Sequence, residues 1–160
     1  MSIETAAVRG VAVHYGPRTT TGKYGRAGND TGLLKTAEWT FSFDDLPVAS
    51  TDTLGVSLPA YSKITSAHLE VLTAFAGGTS YNIGLYTAAG VEIDADGIDA
   101  AVATAAIDAR GDVVVCNGAL VNGVLSVGAT AGKLTVAATG TYTAGKARLV
   151  IEYVVEKAGN

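Results

Sequence analysis

The chain has 160 residues, 48% hydrophobic and 16% charged, with a formal net charge of −4. That is enough apolar surface for one domain with its own core, and it excludes a chain disordered throughout. No run approaches the ~18 uncharged apolar residues of a membrane span, "MSIETAAVRG" lacks the basic start and apolar centre of a signal peptide, and a single cysteine forms no internal disulfide; the expectation is a protein made in the cytoplasm that enters no membrane.

The first 33 residues read as an extended basic arm. "YGPRTTTGKYGRAGNDTG" (15–32) has a Gly-Lys pair, yet five residues separate Gly16 from Gly22, and Tyr24 stands where a P-loop needs Ser or Thr for magnesium. The glycines that follow break helices, so no helix N-terminus can face a phosphate. Residues 1–35 hold Arg9, Arg18, Lys23, Arg26 and Lys35 against Glu4 and Asp30, whereas residues 36–132 hold only Lys63 and Arg110 against eleven acids. An acidic body disfavours nucleic acid, and a basic arm suits an acidic surface on another protein or a neighbouring copy. Arg9, Arg18, Lys23, Tyr24 and Arg26 are the residues expected to make that contact.

Residues 34–160 read as a β domain, because apolar and polar residues alternate over short runs closed by turn residues. "EWTFSFDDLP" sets Trp39, Phe41 and Phe43 on one face, and "AHLEVLTAF" does so with Ala67, Leu69, Val71, Thr73 and Phe75 before a Gly77-Gly78 turn. "SYNIGLYTAAGVEID" places Tyr81, Ile83 and Leu85 together, with Thr87 to Gly90 turning into Val91 and Ile93. "DGIDAAVATAAIDARGD" departs from alternation: Ile98, Ala101, Val102, Ala105, Ala106 and Ala109 recur at helical spacing, with Asp96 as N-cap and Gly111 as C-cap. This predicts one short helix insert, whose small residues Ala101, Ala105 and Ala106, with Val102, would let another subunit approach closely. Cys116, at the end of the run Val113 to Cys116, reads as a buried structural thiol. Asn-Gly pairs at 117–118 and 122–123 suit the positive φ of tight hairpin loops. In "KARLVIEYVVE", Ala147, Leu149, Ile151, Tyr153 and Val155 face one way, and Val150 and Val154 add apolar area to the other, as in a central or covered strand. About seven strands and one helix predict a mainly all-β, antiparallel, jelly-roll-like sandwich.

Chemistry finds little to work with. His68 faces away from the apolar set of its strand, His14 lies in the arm, and neither GxSxG nor a zinc pair occurs. Asp94, Asp96 and Asp99 offer oxygen ligands for calcium, but Gly97 and the lack of a later Glu break the EF-hand order, so a capping or solvated role is expected instead. The tyrosines at 15, 24, 61, 81 and 86 fall mostly on strand positions, where packing precedes sugar binding. No enzyme, cofactor or metal is expected; a calcium- or carbohydrate-binding β-sandwich module is the alternative.

Taken together, the arm "YGPRTTTGKYGRAGNDTG", the strand and loop "VSLPAYSKITSAHLEVLTAF", the hairpin "YNIGLYTAAGVEID" and the closing "AGKARLVIEYV" resemble the capsid cement, or head decoration, proteins of tailed bacteriophages. The resemblance implies a jelly-roll-like virion subunit, made in the host cytoplasm, that sits as a homotrimer on the outside of the capsid and clamps major capsid proteins together. Similar phage proteins serve as tail or fibre-attachment components, an alternative the residues leave open.

Overall fold

The computed structural model describes residues 34–49, 56–122 and 125–156. Eight strands are found among them: β1 (Lys35–Ser42), β2 (Ser57–Leu58), β3 (Ser62–Gly77), β4 (Ser80–Tyr86), β5 (Glu92–Ala103), β6 (Val113–Val115), β7 (Gly132–Thr139) and β8 (Tyr142–Val155). They form two four-stranded antiparallel sheets, ordered β1-β8-β3-β6 and β2-β7-β4-β5. The neighbours β1·β8, β2·β7, β3·β6 and β4·β5 are nested pairs, which is the order produced when one long hairpin is rolled over two sheets, the jelly roll. Only β4 and β5 are consecutive strands paired in one sheet. The strand pairs β3–β4 and β8–β7 turn the corner between sheets together, tied by Gly78 N–H to Thr141 O at 2.7 Å and Thr79 N–H to Thr139 O at 2.8 Å. Gly77 and Gly78 take φ of 75° and 60° there, conformations that cost glycine no Cβ clash.

Alternation fixes the inner faces. Trp39 and Phe41 of β1, Ile64, Ala67, Leu69, Val71 and Phe75 of β3, and Ala147, Leu149 and Ile151 of β8 meet Tyr81, Ile83, Leu85, Leu134 and Val136 of the second sheet in one buried core. Each such large side chain contributes ~1.5–3 kcal/mol of transfer free energy. Phe41, Phe75, Tyr81 and Tyr142 form an aromatic cluster at one end, with centroids 5.7–6.4 Å apart along its contacts and edge-to-face pairs such as Phe75–Tyr142 at 86°. β8 lies between β1 and β3, the central place its two-sided apolar pattern predicts.

The predicted helix is not formed. Residues 92–103 are strand β5, followed by a single 3-10 turn at Thr104–Ala106. The helical spacing of Ile98 and Val102 arises instead from bulges: as β4 steps from Leu85 to Ile83 its partner runs from Asp94 to Asp99, and from Ile83 to Tyr81 it runs from Asp99 to Val102. Ala101 takes φ of 51° in the second irregularity, and bulged strands often place one residue in such a conformation. Asp96 caps nothing; its N–H reaches Asp94 Oδ1 at 3.3 Å. Pairing with β4 thus overrides a local Ala-rich preference worth only tenths of a kilocalorie per residue.

Two smaller expectations are also corrected. Thr73 is exposed rather than inward, because the β3–β8 register shifts between Val71 and Thr73. Asn117-Gly118 joins no hairpin; it lies in the loop between β6 and β7, which belong to different sheets. Val113 and Val115 are exposed, although Cys116 beside them is buried as expected. Gly123 of the second Asn-Gly pair lies outside the described residues, as does the whole arm.

Candidate interaction surface

Register on the first sheet aligns its outward side chains in rows across all four strands. Glu38, Val150, His68 and Val115 form one row, and Thr40, Arg148, Glu70 and Val113 the next. The second row is pinned by Arg148, whose Nε and Nη2 reach Glu70 Oε2 at 3.1 and 2.5 Å; the hydrogen bond and charge of Glu70 hold the guanidinium still further above its usual range. Below them Ser66 Oγ donates to Glu152 Oε2 at 2.8 Å, and Lys63 pairs with Glu156 at 2.8 Å. This is a preorganised, mixed face: paired charges in the middle, bare valines along one side.

Those valines mark the edge. Val113 is 58% and Val115 74% exposed, and their strand ends the sheet. Cys116 N–H bonds Ala67 O at 3.0 Å and Val71 N–H bonds Asp112 O at 2.9 Å, with Val114 opposite Leu69 between them. By the alternation of an antiparallel ladder, residues 112, 114 and 116 turn their backbone groups toward β3, so residues 113 and 115 turn theirs outward. A cavity of about 310 Å³ opens at the end of the same strand, lined by Thr65, Ser66, Val115, Cys116, Asn117 and Val121 among others. On the second sheet, a groove of about 290 Å³ lies between Pro47–Ala49, Tyr86, Gly90 and Thr135–Ala137.

The predicted residues are dispersed over this frame. Arg9, Arg18, Lys23, Tyr24 and Arg26 lie outside the described residues. Val102 is 5% exposed and belongs to the subunit's own core, which corrects its assignment to an oligomer contact, while Ala101, Ala105 and Ala106 are exposed. Asp94, Asp96 and Asp99 do not converge: Asp94 and Asp96 lie together, but Asp99 is 5% exposed and accepts hydrogen bonds from the Cys116 thiol and from the N–H groups of Ala100 and Asn117. Burial raises the Asp99 carboxyl despite those bonds, and burial followed by the Asp99 charge pushes the Cys116 thiol up to about 12. Tyr81, fully buried nearby, is raised for the same first reason. Among the described residues no three His, Cys, Asp or Glu side chains gather as a metal set, and no helix is long and apolar enough to cross a membrane.

Sequence reading missed the β6 edge. The signal was present in its shortness, since three valines between Asp112 and Cys116-Asn117 are too few to be covered on both faces; only the sheet order places them at a border.

No family model and no curated protein sequence matches the chain. Solved structures do. A chain in the capsid asymmetric unit of cyanophage Pam1 is similar over 88% of this chain and 98% of its own length, at 18% identity and a TM-score of 0.52. A chain in the acid-stable capsid of Helicobacter pylori bacteriophage KHP30 is similar over 79% and 91%, at 14% identity and 0.54. One in the capsid of Ralstonia phage GP4 is similar over 85% and 93%, also at 14% identity and 0.54. At these identities the likeness is one of fold, and it extends over nearly the whole of each matched chain.

Proposed function

We propose that the protein is a structural component of a bacteriophage virion, a cement or decoration protein that binds the outside of the capsid and stabilises contacts between major capsid proteins. The observation that carries this reading is the likeness of its fold, over 79–88% of this chain and 91–98% of theirs, to chains from three phage capsid structures. The chemistry is compatible. A rigid sandwich, a basic arm and an outer face of paired charges suit docking on a fixed lattice, where many copies add avidity to weak single contacts. In this reading the protein is no enzyme and needs no cofactor, its partners are the major capsid protein and itself, and it avoids nucleic acid and membrane.

We further assign it a homotrimer, with exposed Ala101, Ala105 and Ala106 permitting close approach between subunits and Arg9, Arg18, Lys23, Tyr24 and Arg26 reaching the shell. The test is sedimentation of the full chain with shells of its phage from which it has been stripped. The expected result is saturable binding of trimers, weakened by replacing the four basic residues with Glu. Failure to bind shells while binding purified tails would move it to the tail or fibre attachment; a monomer that binds neither, and is stabilised by calcium or a sugar, would overturn the virion reading.

A further inference from the structure

The two sheets have four borders, and they are treated differently. β5 is covered, with Gly118 N–H on Ile98 O and Leu120 N–H on Gly97 O, both at 2.9 Å. β2 is short, and its side of β7 is shared with Val48, which exchanges two backbone bonds with Val136 at 2.9 and 3.0 Å. β1 is open but carries exposed Lys35, Thr36, Glu38 and Thr40, the polar and charged residues that discourage pairing at an edge. At the β6 border, by contrast, the outward backbone groups of Val113 and Val115 coincide with bare apolar side chains at the same two residues. The cavity of about 310 Å³ continues this border past Val115, where Ser66 and Asn117 line it. An edge of that kind is a template for one more strand.

We infer that this border receives an extended strand of a different protein, apolar at alternate residues and basic at its ends. The backbone of the added strand answers the outward N–H and C=O groups of Val113 and Val115, as in any sheet extended at its edge. Its two residues opposite them lie on the outer face and cover the valines, because side chains opposite one another in a ladder share a face. The next residue on that face, two positions on, reaches the cavity beside Val115. Charge selects the partner. Asp108 and Asp112 stand before β6, with Arg110 the one base between them. After β6, residues 118 and 120 bond to residues 98 and 97 of β5. Asp94 lies against Gly97 there, its Cγ 2.7 Å from where a Cβ would stand, and Asp96 precedes Gly97 in the chain. None of these four acids forms an ion pair among the described residues, while Glu70, the acid beside Val113 on the outer face, is held by Arg148. The border is thus flanked by four acids and one base. A second copy of the same border would bring the same acids and be repelled, whereas a strand with basic ends is attracted. The inference does not rest on the virion role.

Amide exchange on the full chain tests it with two synthetic peptides, acetyl-Lys-Val-Thr-Val-Thr-Val-Lys-amide and the same sequence with Glu for both Lys. In the chain alone, the Val113 and Val115 amides should exchange as free edge amides do. Saturating Lys-flanked peptide should slow both at least about tenfold while the Leu69 and Leu149 amides stay as they were. The Glu-flanked peptide should bind at least about tenfold more weakly, and the gap should narrow as salt is added. Methylating the backbone nitrogens of the peptide's valines should abolish the protection, because it removes the donors an added strand must supply. Val115→Pro, which removes an outward N–H and no bond to β3, should abolish it as well; Val115→Lys serves if the proline variant fails to fold. Slow exchange at Val113 and Val115 in the chain alone, at any concentration, means that this chain or a second copy already fills the border, and it overturns the inference. So does equal binding of the two peptides, which removes charge as the selector. Protection by the N-methylated peptide would mean contact without an added strand, and no protection by the Lys-flanked peptide at millimolar concentration would mean no contact; either result overturns it too.

Discussion

Replacing Gly84 by Ala tests the bulge that takes the place of the expected helix. Gly84 is buried in the middle of β4, and a Cβ added there would stand 2.2 Å from Ala95 O, 2.3 Å from Ala95 C and 2.6 Å from Asp94 O. Ordinary carbon contacts begin near ~3.5 Å, so the bulged backbone of β5 must retreat by about 1 Å. A backbone cannot swing aside as a side chain can. Overpacking of this kind costs ~1–3 kcal/mol, and each β4–β5 hydrogen bond lost with the retreat adds ~0.5–1.5 kcal/mol. Alanine recovers only ~0.5–1 kcal/mol of backbone entropy, which leaves a net destabilisation of about 2–3 kcal/mol. Gly132 is the control, because its added Cβ would meet the side-chain ends Ile93 Cδ1 and Leu85 Cδ2 at 3.2 and 3.3 Å, which can shift. Urea unfolding of both variants should show Gly84→Ala with a clearly lowered midpoint and Gly132→Ala within ~1 kcal/mol of the parent. If the two variants are equally stable, the Ala95 carbonyl does not lie over Gly84 and the bulge is wrongly drawn.

Tyr81→Phe should stabilise the fold by about 1 kcal/mol in the same assay, because the buried hydroxyl meets no hydrogen-bond partner among the described residues and leaving such a group unpaired is costly; a loss of stability would reveal a partner. Cys116, buried and with its thiol pushed up to about 12, should resist alkylation at pH 8 in the folded chain and react fully once denatured, as mass spectrometry would show; rapid labelling of the folded protein would contradict its packing. The raised Asp99 carboxyl has a definite sign: its contribution is fully present below the unfolded carboxyl value of ~3.9 and is lost as pH rises through the folded one. The parent should therefore lose stability relative to Asp99→Asn across the acid range above pH ~4, and an unchanged difference in pH-dependent urea unfolding would sink the assignment.

The sequence by itself determined the class of fold and most of the core, because period-two alternation is a local property that needs no partner to be seen. Trp39 and Phe41, Leu69 and Val71, Tyr81, Ile83 and Leu85, and Leu149 and Ile151 all face inward as their spacing requires. It also determined the charge split between arm and body, which is covalent. What it left open was everything set by a strand's neighbours. Ala101 and Val102 read as helix because bulges change the inward spacing, and a bulge exists only relative to β4. Asp99 read as a solvated turn residue until the loop carrying Cys116 and Asn117 folded against it. Val113 to Val115 form a border because the rolled hairpin brings β6 beside β3 and nothing among the described residues beside β6. Tertiary structure decided these because long-range pairing, which outweighs tenths of a kilocalorie of local preference, assigns both register and edge.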